Sequence, residues 1–133
     1  MTAKTILVID DEKHIAHVLA YKIRQAGYEV ITAGDGQEGY ALACEHRPSL
    51  IVTDFQMPNL DGFEMCVKLH EDESTCEIPV IMLTARGHRL HPSEMLKTNI
   101  QCLMQKPFSA HELLERIAEF LPYDKDDTCE KVA

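Results

Sequence analysis

The chain has no excess of basic residues: its 133 residues carry a formal net charge of -9. A nucleic acid partner needs a basic face against its phosphates, so direct nucleic acid binding is not expected. No stretch approaches the roughly 18–20 consecutive apolar residues of a membrane span. Met1-Thr2-Ala3-Lys4 runs straight into a strand-like segment without the apolar region of a secretory signal. No membrane association and a cytoplasmic location are therefore expected. The five cysteines (44, 66, 76, 102 and 129) are odd in number, widely spaced and contain no C-x-x-C pair. That excludes a disulfide framework and a thiolate zinc site, and leaves reduced thiols, mostly small core fillers. There is no internal repeat and no linker followed by a second periodic region. The length and the 45% apolar content suit one domain with a real core.

What is present is a series of short, wholly apolar runs. Thr5 to Ile9, Leu50 to Thr53 and Ile78 to Leu83 run apolar rather than alternating, as in strands covered on both faces; Ile100 to Met104 is a further strand, and Tyr28 to Ala33 one of mixed character. Between them lie helical periods. The first is expected to bury Ile15, Val18, Leu19, Ile23 and Ala26, and to stop at Gly27. The second follows the Gly34-Asp35-Gly36 turn, with Gly39, Leu42, Ala43 and His46 on one face and Pro48 as its end. The third is capped by Asp61 and presents Phe63, Cys66, Val67 and His70. Residues 71–77 form a polar connection. Residues 88–99 are the least periodic, allowing a short helix that starts at Pro92 and carries Met95 and Leu96. The last helix has the clearest start. Ser109 and Glu112 have capping-box spacing, Phe108 and Leu113 form a staple, and Leu113, Leu114, Ile117, Ala118 and Leu121 form the buried stripe before Pro122. Strands alternating with helices predict an α/β fold, a parallel sheet with helices on both faces. The domain is expected over 4–121, and 122–133 is expected to be a flexible acidic tail.

Four of the apolar runs end in residues that carry chemistry. Asp10-Asp11 follows the first, Asp54 the third, Thr84 the fourth and Lys106 the fifth. Strands of one parallel sheet end on one edge, where ligands of open α/β sheets bind, so these residues are expected in a single cleft. Three crowded carboxylates repel one another; a hard divalent cation relieves that repulsion, and an oxygen-only set suits Mg²⁺ (or Mn²⁺). An ionised Asp54 beside such an ion is suited to attack phosphorus and form an aspartyl phosphate. Phosphoryl transfer asks mainly for positive charge around the equatorial oxygens, and Lys106 offers an ammonium. Thr84 offers a hydroxyl donor. Nothing resembles a carboxylate pair for glycosides or a Ser-His-Asp set.

The same residues carry a family resemblance. Asp10-Asp11, Asp54 with Met57-Pro58 and Asp61-Gly62 behind it, Thr84-Ala85 and Lys106-Pro107-Phe108 resemble, in this order and spacing, the receiver domains of two-component response regulators. The resemblance extends over residues 4–121. It implies a flavodoxin-like (βα)5 sandwich with sheet order 2-1-3-4-5. It also implies that Asp54 accepts a phosphoryl group from a histidine kinase or histidine phosphotransfer protein, and that a downstream protein reads the result. Asp11 and Asp54 would then ligate Mg²⁺ directly, Asp10 would assist through water, and the backbone carbonyl of Gln56 would complete the set. The family is a phosphoacceptor regulator rather than an enzyme, although its members assist their own phosphorylation and dephosphorylation. The Lys106–Pro107 bond would be cis.

The chain departs from the family pattern in two places. Leu103 stands where the family's switch carries an aromatic residue. Arg86, His88, Arg89 and His91 make a basic loop, which reads either as a partner surface or as a solvated loop. Gln56 and Arg86 flank the cleft, where they could screen attacking water.

Simpler roles stand beside these. Asp61 is a cap, Glu12 a negative residue at a helix start, and His14 and His17 solvent-exposed side chains. Met57, Met65, Met82, Met95 and Met104 are packing residues. Two other functions have a claim on these residues. An aspartate-nucleophile phosphatase of the haloacid dehalogenase kind expects Asp-x-Asp after the first strand and a cap domain; Asp10-Asp11-Glu12 and the chain's length fit neither. A pseudo-receiver scaffold that keeps the fold without switching remains the alternative, and homodimerisation stays open.

Overall fold

The computed structural model describes residues 4–57, 60–85 and 90–121. The apolar runs form one parallel sheet: β1 (Thr5–Ile9), β2 (Glu29–Ala33), β3 (Leu50–Asp54), β4 (Val80–Thr84) and β5 (Ile100–Gln105). Their order is β2-β1-β3-β4-β5, every pairing is parallel, and the fold is the flavodoxin-like doubly wound sandwich. Ile6 and Val8 lie in one core cluster, Leu7 and Ile9 in the other. Alternation along β1 thus feeds two apolar layers, which is why an inner strand is apolar at every position.

The helices are α1 (Lys13–Gln25), α2 (Gly36–His46), α3 (Gly62–Glu71), α4 (Pro92–Met95) and α5 (Ala110–Phe120). Leu19 and Ile23 of α1 and Leu113 and Ile117 of α5 cover one face of the sheet. Ala43 of α2 and Met65 and Leu69 of α3 cover the other. Burying Leu113 and Ile117 contributes roughly 1.5–3 kcal/mol each. The Ser109–Glu112 capping box is present, but a cap is worth about 1 kcal/mol. The apolar stripe therefore holds α5 in place, and the cap sets where it starts.

Several faces are rotated from the sequence expectation. In α1 the buried residues are Ala16, Leu19, Ala20 and Ile23, while Val18 is 41% exposed. The small Ala16 and Ala20 turn toward the sheet and push Val18 out. Gly27, at φ 106°, ends this segment as expected. In α2, Gly39 and Ala43 are buried, Leu42 is half-buried and His46 is exposed; Arg47, left-handed at φ 46°, ends the helix ahead of Pro48. In α3, Asp61 caps as expected, but the buried stripe is Gly62, Met65, Cys66 and Leu69. Phe63 and Val67 are half-buried and His70 is exposed. Ala118 of α5 is exposed. β4 starts at Val80, two residues later than the apolar run, because Pro79 has no N–H for the ladder. Helix α4 is a single turn, half-buried at Met95, and Leu96 beyond it is 81% exposed.

Of the described cysteines, Cys66 is a core filler and Cys44, Cys76 and Cys102 are half-buried; all four are free thiols. Among the described residues no helix is long and apolar enough to cross a membrane. Pro58, Arg86, His88, Arg89, Cys129 and the 122–133 segment lie outside the described residues.

The rotation of α3 has an identifiable cause. A Cβ on Gly62 would collide with the backbone carbonyl oxygen of Asp54, and the Gly62 N–H donates to the Phe55 carbonyl at 2.8 Å. The first turn of α3 is thereby locked against the end of β3. Gly62→Ala is expected to lower stability by about 2 kcal/mol, as backbone overpacking does, read as an earlier urea midpoint at unchanged slope. A loss under about 0.5 kcal/mol would show that this contact does not fix the helix.

Candidate functional site

The site lies at the carboxyl edge of the sheet, where the order reverses between β1 and β3. Asp10 and Asp11 follow β1, Asp54 ends β3, Thr84 ends β4, and Lys106 follows β5. Asp10 is 1% exposed and Asp54 8%. Asp10, Asp11 and Asp54 each bring a carboxylate oxygen within 4.8 Å of the others. The ammonium of Lys106 is 3.0 Å from Asp54 Oδ1, and the same oxygen accepts the Phe55 N–H at 3.0 Å. Both donors fall on Oδ1. A cleft of about 220 Å³ opens over Asp54 and is lined by Asp11, Glu12, Gln56, Ala85 and Lys106.

The electrostatics follow from burial and crowding. Burial raises the pKa of Asp10 above the ordinary carboxylate range. The Glu12 N–H opposes this, and the Asp54 charge adds to it. Burial pulls the Lys106 ammonium down, yet the hydrogen bond and charge of Asp54 outweigh it, so its pKa lies above the usual lysine value. Asp10 Oδ1 accepts the Glu12 N–H at 2.9 Å. Asp10 Oδ2 is buried without a hydrogen-bond partner among the described residues. An orphaned buried carboxylate oxygen next to two further carboxylates is the donor set of a hard divalent cation.

The remaining candidates divide. Thr84 is fully buried, and its hydroxyl donates to the Met104 carbonyl at a long 3.4 Å, directed into the β4–β5 pair. Its backbone carbonyl accepts the Lys106 N–H at 2.8 Å, tying the ends of β4 and β5 together. The Lys106–Pro107 peptide is cis, as the resemblance implied. Leu103 is half-buried and packs with Leu90 and Met95 against the core on the α2–α3 side of the sheet. His14 and His17 are exposed and belong to no metal-compatible group among the described residues. His91 does not stand free in a basic loop; it caps α4.

Two site features are not legible in the sequence. The Phe55 amide is a backbone donor with no signature in the sequence. Glu12 has the sequence position of a helix-start charge, but its side chain makes no cap bond and it lines the cleft.

A doubly wound sheet with an acidic cleft at its switch point and a lysine paired to the central aspartate defines a receiver-type signalling module. The comparisons make this specific. The model of the response regulator receiver domain family matches residues 6–118. The chain is 37% identical over 121 residues to the phosphate regulon transcriptional regulatory protein PhoB of Pseudomonas aeruginosa, covering 91% of this chain and 53% of that protein. It is 39% identical over 118 residues to the alkaline phosphatase synthesis transcriptional regulatory protein PhoP of Bacillus subtilis, covering 89% and 48%.

Among solved structures, the chemotaxis response regulator CheY4 of Vibrio cholerae matches with a TM-score of 0.81 at 29% identity, over 90% of this chain and 99% of that one. The receiver domain of sensor histidine kinase PA1611 from P. aeruginosa, which has a magnesium ion coordinated in its active-site cleft, matches with a TM-score of 0.80 at 25% identity, over 90% and 98%. The chain belongs to the response regulator receiver domain family, a signalling family rather than a conventional enzyme. It spans about half the length of the curated relatives it matches.

The orphaned Asp10 oxygen gives a direct test. The folded state holds the Asp10 proton to higher pH than the unfolded chain does. Stability is therefore lost as pH rises from the ordinary carboxylate range through the raised value. Asp10→Asn keeps the Oδ1 acceptor for Glu12 and removes the charge. In chelator it is expected to be more stable than wild type by about 1 kcal/mol near neutral pH, with the gain vanishing in acid. Adding Mg²⁺ should close the gap by stabilising wild type more. Urea unfolding at the two pH values, with and without Mg²⁺, reads all three outcomes.

Proposed function

We propose that this chain is a phosphoacceptor switch in which Asp54 receives the phosphoryl group of a phosphohistidine. The observation that carries this is the Asp54 carboxylate, nearly buried at the end of β3, with Lys106 at 3.0 Å and two further carboxylates alongside. Lys106 and the Phe55 N–H both hold Oδ1, which fixes the carboxylate's orientation and leaves Oδ2 to attack. The new bond joins Oδ2 to phosphorus, the N–P bond breaks, and its electron pair returns to the donor imidazole. Lys106 then stands beside the transferring oxygens as a fixed positive charge that needs no reorganisation. Mg²⁺, or Mn²⁺, held by Asp10, Asp11, Asp54 and the carbonyl of Gln56, would neutralise charge on the phosphoryl oxygens. The magnesium ion of the PA1611 receiver and the orphaned oxygen of Asp10 support that assignment.

Thr84 supplies the switch on this proposal. Its hydroxyl makes only a long bond to Met104, so exchanging it for a phosphoryl oxygen costs little. With Leu103 in the aromatic position, rearrangement would pass to a protein target through packing around β5 and α4. The partners are a histidine kinase or histidine phosphotransfer protein upstream and a protein target downstream. Residues 4–121 form the working unit, located in the cytoplasm, and it assists its own phosphorylation and hydrolysis.

Incubation with Mg²⁺ and a small phosphodonor, read by intact mass, tests this. Wild type should gain one phosphoryl group, while Asp54→Asn or added chelator should abolish the gain. Lys106→Met should slow it by about 10²-fold or more, the scale for losing a preorganised positive charge. No gain in wild type with any donor would leave the non-switching scaffold as the function.

A further inference from the structure

Glu12 stands at the N-cap of α1 with extended backbone (φ -91°, ψ 104°), where a carboxylate ordinarily accepts a helix N–H; it accepts none. Its backbone is held on both sides, the N–H by Asp10 Oδ1 at 2.9 Å and the carbonyl by the Ala16 N–H at 3.0 Å. Its backbone is therefore fixed at the rim of the cleft that Glu12 lines with Asp11, Asp54 and Lys106. No hydrogen bond or ion pair engages that carboxylate among the described residues. Among the described residues it is a fourth negative group at a cleft with one ammonium.

Such a charge acts in opposite directions on the two things the cleft must admit. A divalent cation is drawn in, and the unpartnered buried oxygen of Asp10 is a donor suited to one. A phosphodonor is an anion and is repelled by the same carboxylate. We infer that Glu12 is a specificity-determining residue that strengthens divalent-cation binding at the cost of slower encounter with anionic phosphodonors. It also favours a donor whose protein surroundings place positive charge opposite α1. This inference rests on Asp54 as the phosphoacceptor for its second half only; the cation half stands without it. Lys106 feels Glu12 as a further negative charge, in keeping with this placement.

The test uses Glu12→Gln, which keeps shape and removes charge, and Glu12→Asp, which keeps charge. Titration calorimetry with Mg²⁺ alone should show a dissociation constant raised about three- to tenfold in Glu12→Gln and close to wild type in Glu12→Asp. At saturating Mg²⁺, phosphorylation by acetyl phosphate should be about threefold faster in Glu12→Gln. In that step the bond from phosphorus to the acetate oxygen breaks, acetate leaves with the electron pair, and the bond to Asp54 forms. Both differences should shrink as ionic strength rises toward about 0.5 M, since they act through charge across solvent.

The urea midpoint should not move, because the side chain holds nothing in the fold. An unchanged Mg²⁺ affinity, or a rate that falls along with affinity, overturns the inference and returns Glu12 to a solvated helix-start residue. If wild type gains no phosphoryl group at all, the phosphoacceptor reading fails separately, while the Mg²⁺ titration still decides the role of Glu12.

Discussion

The ion pair between Lys106 and Asp54 is the contact on which this cleft depends. Three carboxylates are gathered within 4.8 Å at the end of two strands, and like charges so placed would push the loops after β1 and β3 apart. A single ammonium, fixed by the junction of β5 and the segment before α5, offsets part of that repulsion. The pair is neither fully buried nor free in solvent, with side-chain exposures of 35% and 11%. Its net contribution therefore falls between the near-zero value of a surface pair and the several kcal/mol lost when a buried partner is removed. Stability alone does not explain such an arrangement. An unpartnered buried carboxylate oxygen beside two further carboxylates is consistent with the metal site of a receiver domain.

The rest of the fold works as the mount for that cleft. β1 and β3 lie side by side because the chain crosses over after β2, so Asp10 and Asp54 end neighbouring strands although 44 positions separate them. The Gly62 contact with the Asp54 carbonyl presses α3 against the strand end, and the Phe55 amide turns back onto the Asp54 side chain. The Lys106 N–H to Thr84 carbonyl bond ties β5 to β4 at the same level. Four strand ends are thus held at one height by backbone contacts, so the functional side chains lose little further freedom when they act.

The face around β5 and α4 is built differently. Helix α4 is one turn, Leu96 is bare, and Leu103, like Leu90 and Met95, lies partly buried against the core on the α2–α3 side. An aliphatic side chain there can shift its packing but cannot swing a polar ring tip between core and solvent as an aromatic residue such as tyrosine can. A signal leaving the cleft through Thr84 would therefore travel as repacking of a small apolar group.

Much of this was determined by the sequence. Strands covered on both faces must be apolar throughout, so the strand positions and the sheet type were legible from Thr5–Ile9 and Leu50–Thr53, and the polar residue ending each run marked the cleft. Caps at Asp61 and Ser109 were legible because side-chain-to-backbone hydrogen bonds are local in the chain. What tertiary structure decided is the rotation of helices about their axes and the fate of single atoms. Val18, His46, His70 and Ala118 are exposed; in α1 the small Ala16 and Ala20 take the buried positions, and in α3 the Gly62 contact sets how the helix sits on the sheet. Likewise Glu12 reads as a helix-start charge from its neighbours in sequence. Only the packed structure shows its carboxylate uncapped and places the residue in the lining of the cleft with Lys106, far along the chain.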